Sequence, residues 1–221
     1  MTASETRERL LRATIDLLAG PGIGGVSARA VASASGVNQA LVFYHFTSVP
    51  LLVRESARHS TRLAVQRYRP ALAQASSLTA LLAVGRRLHA EESARGAVRV
   101  MAQLLAAGQS DPEHAETARE CLELWFAEVA RAVRRLLTDS PVRDLVDVDA
   151  LARAIGAAFI GLELYEGVDP AGAEAALDSL AGVGVLIEVL DGLNALERTL
   201  LQKRITQLRG RGTPGATSRR P

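Results

Sequence analysis

Aromatic side chains are scarce in this chain, 4% of its 221 residues, and β-branched runs that alternate with polar residues are scarcer still. Alanine and leucine dominate instead, which argues against a sheet-built core and for helices. A single cysteine, Cys121, excludes an intrachain disulfide. None is needed, because a chain of this length buries roughly 70% of its unfolded surface on folding. No uncharged apolar stretch of the ~18 residues a membrane span requires is present. The N-terminal segment carries Glu5, Arg7, Glu8 and Arg9 in place of the basic-then-apolar layout of a secretion signal, so cytoplasmic residence is expected.

Catalytic motifs are missing as well. There is no phosphate-cradling glycine loop, no nucleophile elbow and no His-Glu-x-x-His pattern, and an enzyme is not expected. The four histidines, His45, His59, His89 and His114, are scattered, so neither a metal nor another cofactor is expected. Cys121 lies in an apolar helical stretch and reads as a small core residue rather than a redox switch.

Acidic residues are absent after Glu197, while residues 201–221 carry six bases. The net charge of +2 therefore hides an asymmetry, with 20 bases against 24 acids in residues 1–200. Residues 1–50 are only +1, which gives them modest attraction for phosphate. The segment 210–221, rich in Gly, Pro, Ser, Thr and Arg, has the composition of a disordered basic tail.

What the chain does have is one dense motif between Ser27 and Phe46. Ser27 can cap a helix whose inward positions Ala28, Val31 and Ala32 are small enough for a second helix to cross closely. Gly36 supplies the backbone freedom of the turn, and Val37 and Val42 fill the angle between the helices. The second helix begins with Asn38 and Gln39, polar side chains placed where a recognition helix meets base edges in the major groove.

The runs Ser27-Ala28-Arg29-Ala30-Val31-Ala32, Ser35-Gly36-Val37-Asn38, Ala40 and Phe43-Tyr44-His45-Phe46 resemble the signature of the TetR family of one-component transcriptional regulators, over about residues 5–55. The resemblance implies an all-α fold with an N-terminal three-helix helix-turn-helix head, residues 1–47, and a C-terminal helical effector-binding and dimerisation bundle, residues 48–209. It implies a homodimer that binds a pseudo-palindromic operator in double-stranded DNA, expected to be a repressor that lets go when a small, largely apolar molecule binds. Asn38 and Gln39 are then the base readers, Ala40 approaches a thymine methyl or sugar, and Ser27, Arg29, Tyr44, His45 and Thr47 meet phosphates. Two positions depart from the family. Val49 stands where a phosphate-binding lysine is usual, and Phe43 lacks the hydroxyl of the usual tyrosine.

The remainder reads as a succession of helices. Residues 6–19 place Leu10, Ala13, Leu17 and Leu11, Ile15, Leu18 on adjacent rows, ended by Gly20-Pro21-Gly22. Ser48 opens a helix expected to run toward Tyr68 and to be interrupted at Pro70. Leu78 to Gly108 holds one or two helices, and Asp111-Pro112-Glu113 starts another, with Leu122, Trp125, Phe126, Val129, Val133, Leu136 and Leu137 on its apolar face. A connection with Pro141 and the acids of 144–149 leads to a helix bearing Leu151, Ile155, Phe159 and Leu162 that ends near Gly167. Asp169-Pro170 opens one bearing Leu177, Leu180, Gly184 and Ile187. These two long helices within 149–191, with Gly156, Gly161, Gly182 and Gly184 allowing close approach, are the expected dimer-forming pair, although packing within one chain is an equal reading of the residues themselves. His89, Met101, Trp125, Phe159 and Glu163, large or polar in apolar surroundings, are the candidate effector-pocket residues, each also readable as core or surface. A helical ligand- or protein-binding module whose helix-turn-helix no longer reads DNA is the alternative, favoured by Val49 and the weakly charged head.

Overall fold

The computed structural model describes residues 2–138, 140, 143 and 146–179, with isolated positions at 194, 197, 199, 200, 203, 204 and 207. Among the described residues all regular structure is helical. The part of the expected last long helix with Leu180, Gly182, Gly184 and Ile187, and the tail 210–221, lie outside them.

The head is built by caps and one turn. Helix α1 (Ala3–Ala19) starts with a reciprocal capping box, Thr2 accepting from the Glu5 amide while the Glu5 carboxylate accepts from the Thr2 amide. Ser27 caps α2 (Ala28–Ser35) by accepting from the Ala30 amide at 3.1 Å. Gly36 follows at φ +65°, the left-handed conformation that ends α2 and that a β-carbon disfavours. Helix α3 (Gln39–His45) completes the head. Leu10, Leu11, Val31, Val42, Phe46 and Leu52 are buried together as its core.

Helix α4 (Val49–Gln74) opens on Ser48, which accepts from the Leu51 amide, with Pro50 in the first turn where its missing N–H costs nothing. Contrary to expectation it does not stop at Pro70 but runs on to Gln74. Pro70 and the carbonyl it leaves unpaired four residues earlier, on Gln66, belong to exposed positions, so water can take the lost hydrogen bond. The turn beyond is held by buried Leu72 and by the Arg135 guanidinium, which donates to the carbonyls of Leu72 and Ala75.

The 78–108 stretch divides into α5 (Leu78–Ala94) and α6 (Ala97–Ala107), separated at Gly96, φ +80°. A β-carbon there would stand 2.8 Å from Cβ of Ala19. Helix α7 (Pro112–Leu136) is capped by Asp111, and α8 (Val148–Glu166) by Asp147, so the acidic connection itself supplies the start of α8. Residues 170–179 are helical again.

Helices α4 and α7 run side by side in the same direction and are tied at three levels. Glu120 takes both Arg54 and Arg58, buried Glu128 takes Arg69, and Arg135 caps the end of α4. Between them and α6 lies a second core of Leu18, Val53, Ala57, Val100, Leu104, Ala118 and Cys121. Burial pushes the Cys121 thiol up, against a weaker opposing hydrogen bond with Thr61, as suits an inert core residue. Val49 packs against both this core and that of the head, so it joins the two units through apolar contact. A third core, Tyr68, Leu72, Leu81, Ala132, Val133 and Leu137, fills the far end of the body. Gly156 of α8 lets the Phe126 ring lie against its backbone, at 2.3 Å from where a β-carbon would sit, whereas Gly161 faces open space. No helix among the described residues is long and apolar enough to cross a membrane.

Candidate functional site

The expected DNA-contacting residues lie on the surface of the head, on and beside α2 and α3. Ser27, Arg29, Asn38, Gln39, Ala40, Tyr44 and Thr47 are exposed and His45 is half-exposed, while Val42 on the opposite side of α3 is fully buried and pins the helix. Tyr44 is 77% exposed and Phe43 51%, values high for aromatic side chains that a helix could have turned inward. The Tyr44 and His45 rings meet edge-on at 5.0 Å, which fixes their relative direction.

Their polar groups are differently committed. Asn38 caps α3, its Oδ1 accepting from the Ala40 amide at 2.9 Å, so only its amide N–H groups remain to be offered. Ser27 spends its oxygen on the Ala30 amide and keeps its hydroxyl hydrogen. Arg29, Gln39, Tyr44 and Thr47 have no hydrogen-bonding partner within the chain among the described residues. The other head arginines have partners: Arg7 pairs with Glu55 at 3.3 Å and lies over the Phe46 ring, Arg9 donates to the Ser35 carbonyl, and Arg12 reaches Glu8 at 4.0 Å. Thus Arg29 is the cation the face leaves available.

The five effector candidates fall in three places. His89, Phe159 and Glu163 come together where α5 meets α8: Nδ1 of His89 lies 3.1 Å from Glu163 Oε1, and the Phe159 ring meets the imidazole edge-on at 5.9 Å. Glu163, which could have faced solvent, points inward. Glu166, not anticipated, takes the other imidazole nitrogen. Trp125 lies deeper, its ring 6.3 Å from that of Tyr68, among the half-buried apolar residues Val84, Leu88, Val129 and Ile155. Met101 packs on the second core, in a different part of the body. A shallow cleft of about 270 Å³ between α6, α7 and α8, with Leu105, Leu122 and Phe126 on its floor and Arg119 and Arg153 at its rim, includes none of the five.

Sequence reasoning also missed a buried polar cluster beside Trp125. The hydroxyl of fully buried Tyr68 donates to Glu91 at 2.6 Å, and the buried Glu92 carboxylate accepts from Arg67 and Arg95. Burial first, then the Glu91 hydrogen bond, raises the Tyr68 phenol, and the same bond holds Glu91 below its usual range. The signal available in sequence was the adjacent pair Glu91-Glu92 near the end of a helical stretch, with Arg95 one turn on.

Residues 10–49 match the family model of bacterial regulatory proteins of the tetR family. No curated protein matches the sequence. Among solved structures the fold matches one from a Rhodococcus species described as a TetR-family transcriptional regulator, at 20% identity and TM-score 0.66, over 86% of this chain and 100% of that one. It matches a transcriptional regulator structure from Saccharomonospora viridis in complex with choline, at 24% identity and TM-score 0.64, over 81% and 93%. It also matches the regulator FadR from Bacillus subtilis in complex with stearoyl-CoA, at 14% identity and TM-score 0.65, over 84% and 97%. The head thus matches the tetR family model over residues 10–49, and the chain shares the helical fold of these solved regulators.

Proposed function

We propose that the protein is a homodimeric, ligand-responsive repressor that holds a pseudo-palindromic operator through two copies of the α3 face and releases it when a small molecule binds the body. The observation that carries this reading is the set of unspent polar side chains on one exposed surface: Gln39, Tyr44 and Thr47 on and beside α3, with Arg29 on α2. In this reading Gln39 and the Asn38 amide read base edges, Ala40 lets the backbone approach, and Ser27, Arg29, Tyr44, His45 and Thr47 hold phosphates.

Dimerisation through α8 is supported by an apolar stripe at helical spacing, Ala154, Ala157, Ala158, Gly161, Leu164 and Tyr165, continued by Val168 just past its end, all exposed among the described residues. Val168 is 84% exposed, a position water disfavours and a second copy would cover. The effector region is the space between α5, α7 and α8, lined by the half-buried Trp125 and Phe159 with His89 and Glu163 at its edge. A largely apolar molecule suits such walls. Similar folds hold choline in one case and stearoyl-CoA in another, so the architecture accommodates small-molecule and lipid-like ligands. Release requires a ligand that binds the two head spacings unequally.

Fluorescence anisotropy with a duplex from the region upstream of the protein's own gene and a scrambled duplex of equal length, at one fixed near-physiological salt, tests the reading. Preferential binding to the upstream duplex is expected. Absence of binding to either duplex sinks the DNA-reading role and favours a binding module whose head is only structural.

A further inference from the structure

His89 is held between two carboxylates that approach opposite ring nitrogens: Glu163 meets Nδ1 and Glu166 meets Nε2. The two glutamates are three residues apart on one face of α8, while His89 is on α5, so this sandwich joins two helices. A neutral imidazole has one N–H and one lone pair, and an ionised carboxylate can only accept. With a neutral ring, one of the two contacts would set a nitrogen lone pair against a carboxylate oxygen. The arrangement is satisfied when the ring carries both protons, or when one of the carboxyls keeps its own. Few other contacts bind the seam, since Leu88, Ile155 and Phe159 beside it are only half-buried.

We infer that the α5–α8 seam is a proton-held clasp, closed while the His89–Glu163–Glu166 group keeps its extra proton and loosened when rising pH removes it.

The charged surroundings leave that role to this group. Arg86, one turn earlier on α5, is engaged by Asp178 at 2.6 Å, and Glu92, one turn later, by Arg67 and Arg95. Asp169, beyond the end of α8, accepts from Tyr165 and the Gly172 amide. From α7 the residues packed into the same core, Trp125 and Val129, are uncharged. Burial opposes charging the His89 ring and is the largest single influence, yet the hydrogen bonds and charges of Glu163 and Glu166 together outweigh it and raise the imidazole above its ordinary 6.5. Burial raises the Glu163 carboxyl as well, against the pull of His89. Both directions have the same consequence: the folded clasp binds more protons than the unfolded chain, so its stabilisation is complete at low pH and is lost as pH climbs through the raised values.

The test is thermal melting of the full chain from about pH 5.5 to about pH 8.5, which brackets ordinary imidazole titration, for the wild type and His89→Gln. The other histidines, among them His59 beside Glu8 and His114 beside Asp111, are common to both proteins, so their contributions cancel in the difference. The wild type is expected to exceed the variant at acid pH by about 2–4 °C and to converge on it at alkaline pH. A constant difference across the range overturns the clasp. Because His89→Gln could impair folding, Glu166→Gln serves as a second variant on the exposed side of the ring. Removing one stabilising carboxylate should move the pH midpoint of the stability loss downward, and an unmoved midpoint overturns the proposal equally. Amide exchange of α5 and α8 peptides gives the local readout: at matched pH the wild type is protected over His89→Gln in acid only, and uniform protection contradicts the clasp.

Discussion

In the proposed reading Asn38 serves two demands at one position, and separating them is the sharpest test at the scale of single residues. Its Oδ1 caps α3 while its N–H groups face outward. Asn38→Asp keeps the capping oxygen, so stability should hold, but it removes the donor and adds a negative charge where phosphates approach, so duplex binding should collapse; melting curves beside anisotropy check both halves. Gln39→Ala removes only a free polar group. It should lower discrimination between operator and scrambled duplex, by about 1–3 kcal/mol if its contact is bidentate. Tyr44→Ala should weaken both duplexes alike, and identical specificity profiles for the two variants would remove the division of labour between base and backbone contacts. A different asymmetry governs Glu128, a buried carboxylate between Arg69 and Arg131, whose own side chains are about half exposed. Removing the glutamate leaves guanidiniums that water can reach, whereas Arg69→Ala with Arg131→Ala strands a charge in the interior. The double arginine variant should therefore be the less stable one in urea unfolding, by about 3 kcal/mol or more relative to wild type. That the motif's polar residues are exposed was legible from its spacing. Glu128 was not, because a buried carboxylate looks like one more surface residue until the helices supplying its partners are packed.

Helix boundaries were legible wherever a side chain makes the start. Ser27, Ser48 and Asp111 each cap the helix their sequence position announces, because capping is a local interaction within three residues. Pro70 misled for the complementary reason: its local cost is real, but Arg135, 65 positions further on, restores the carbonyl pairing at the end of α4, and no window around Pro70 contains that residue. The α5–α6 division was equally hidden, since Gly96 reads as one more glycine until its positive φ and its approach to Ala19 are seen. Gly96→Ala combines left-handed strain with a Cβ contact of 2.8 Å. The strain alone costs about 1–2 kcal/mol, so a fall in melting temperature of at least about 2–8 °C is expected, readable by circular dichroism. An unchanged melting temperature would mean that α1 and α6 can part at no cost. The effector candidates divided because a helical repeat says which residues face inward but not which neighbour they meet. His89, Phe159 and Glu163 converge across 74 positions of sequence, while Met101 reaches another core.

At the scale of the whole molecule, α4 and α7 are fastened by Glu120, Glu128 and Arg135 along most of their shared length, so the head's connecting helix moves with α7 rather than sliding past it. Helix α7 in turn packs on α8 through Phe126 and Gly156 and through the Arg153–Glu123 pair. The proposed dimer face of α8 is thereby two helices from the reading head, and a change in how two α8 helices meet would alter the separation of two α3 helices. In the proposed dimer, loss of one head could not be offset by charge, since residues 1–50 carry a net charge of only +1. Affinity should consequently rest on both heads engaging at once. Leu164→Glu with Val168→Glu places two charges at and just beyond the exposed apolar end of α8, away from every core cluster, so the fold should survive while association is lost. Sedimentation velocity should show a dimer for the wild type and a monomer for the double variant, with operator affinity reduced about 100-fold or more as avidity disappears. A variant that remains dimeric would put the interface elsewhere on the body. One that becomes monomeric yet binds DNA undiminished would show that a single α3 face suffices, and the coupling from α8 through α7 and α4 would then have no second head to position.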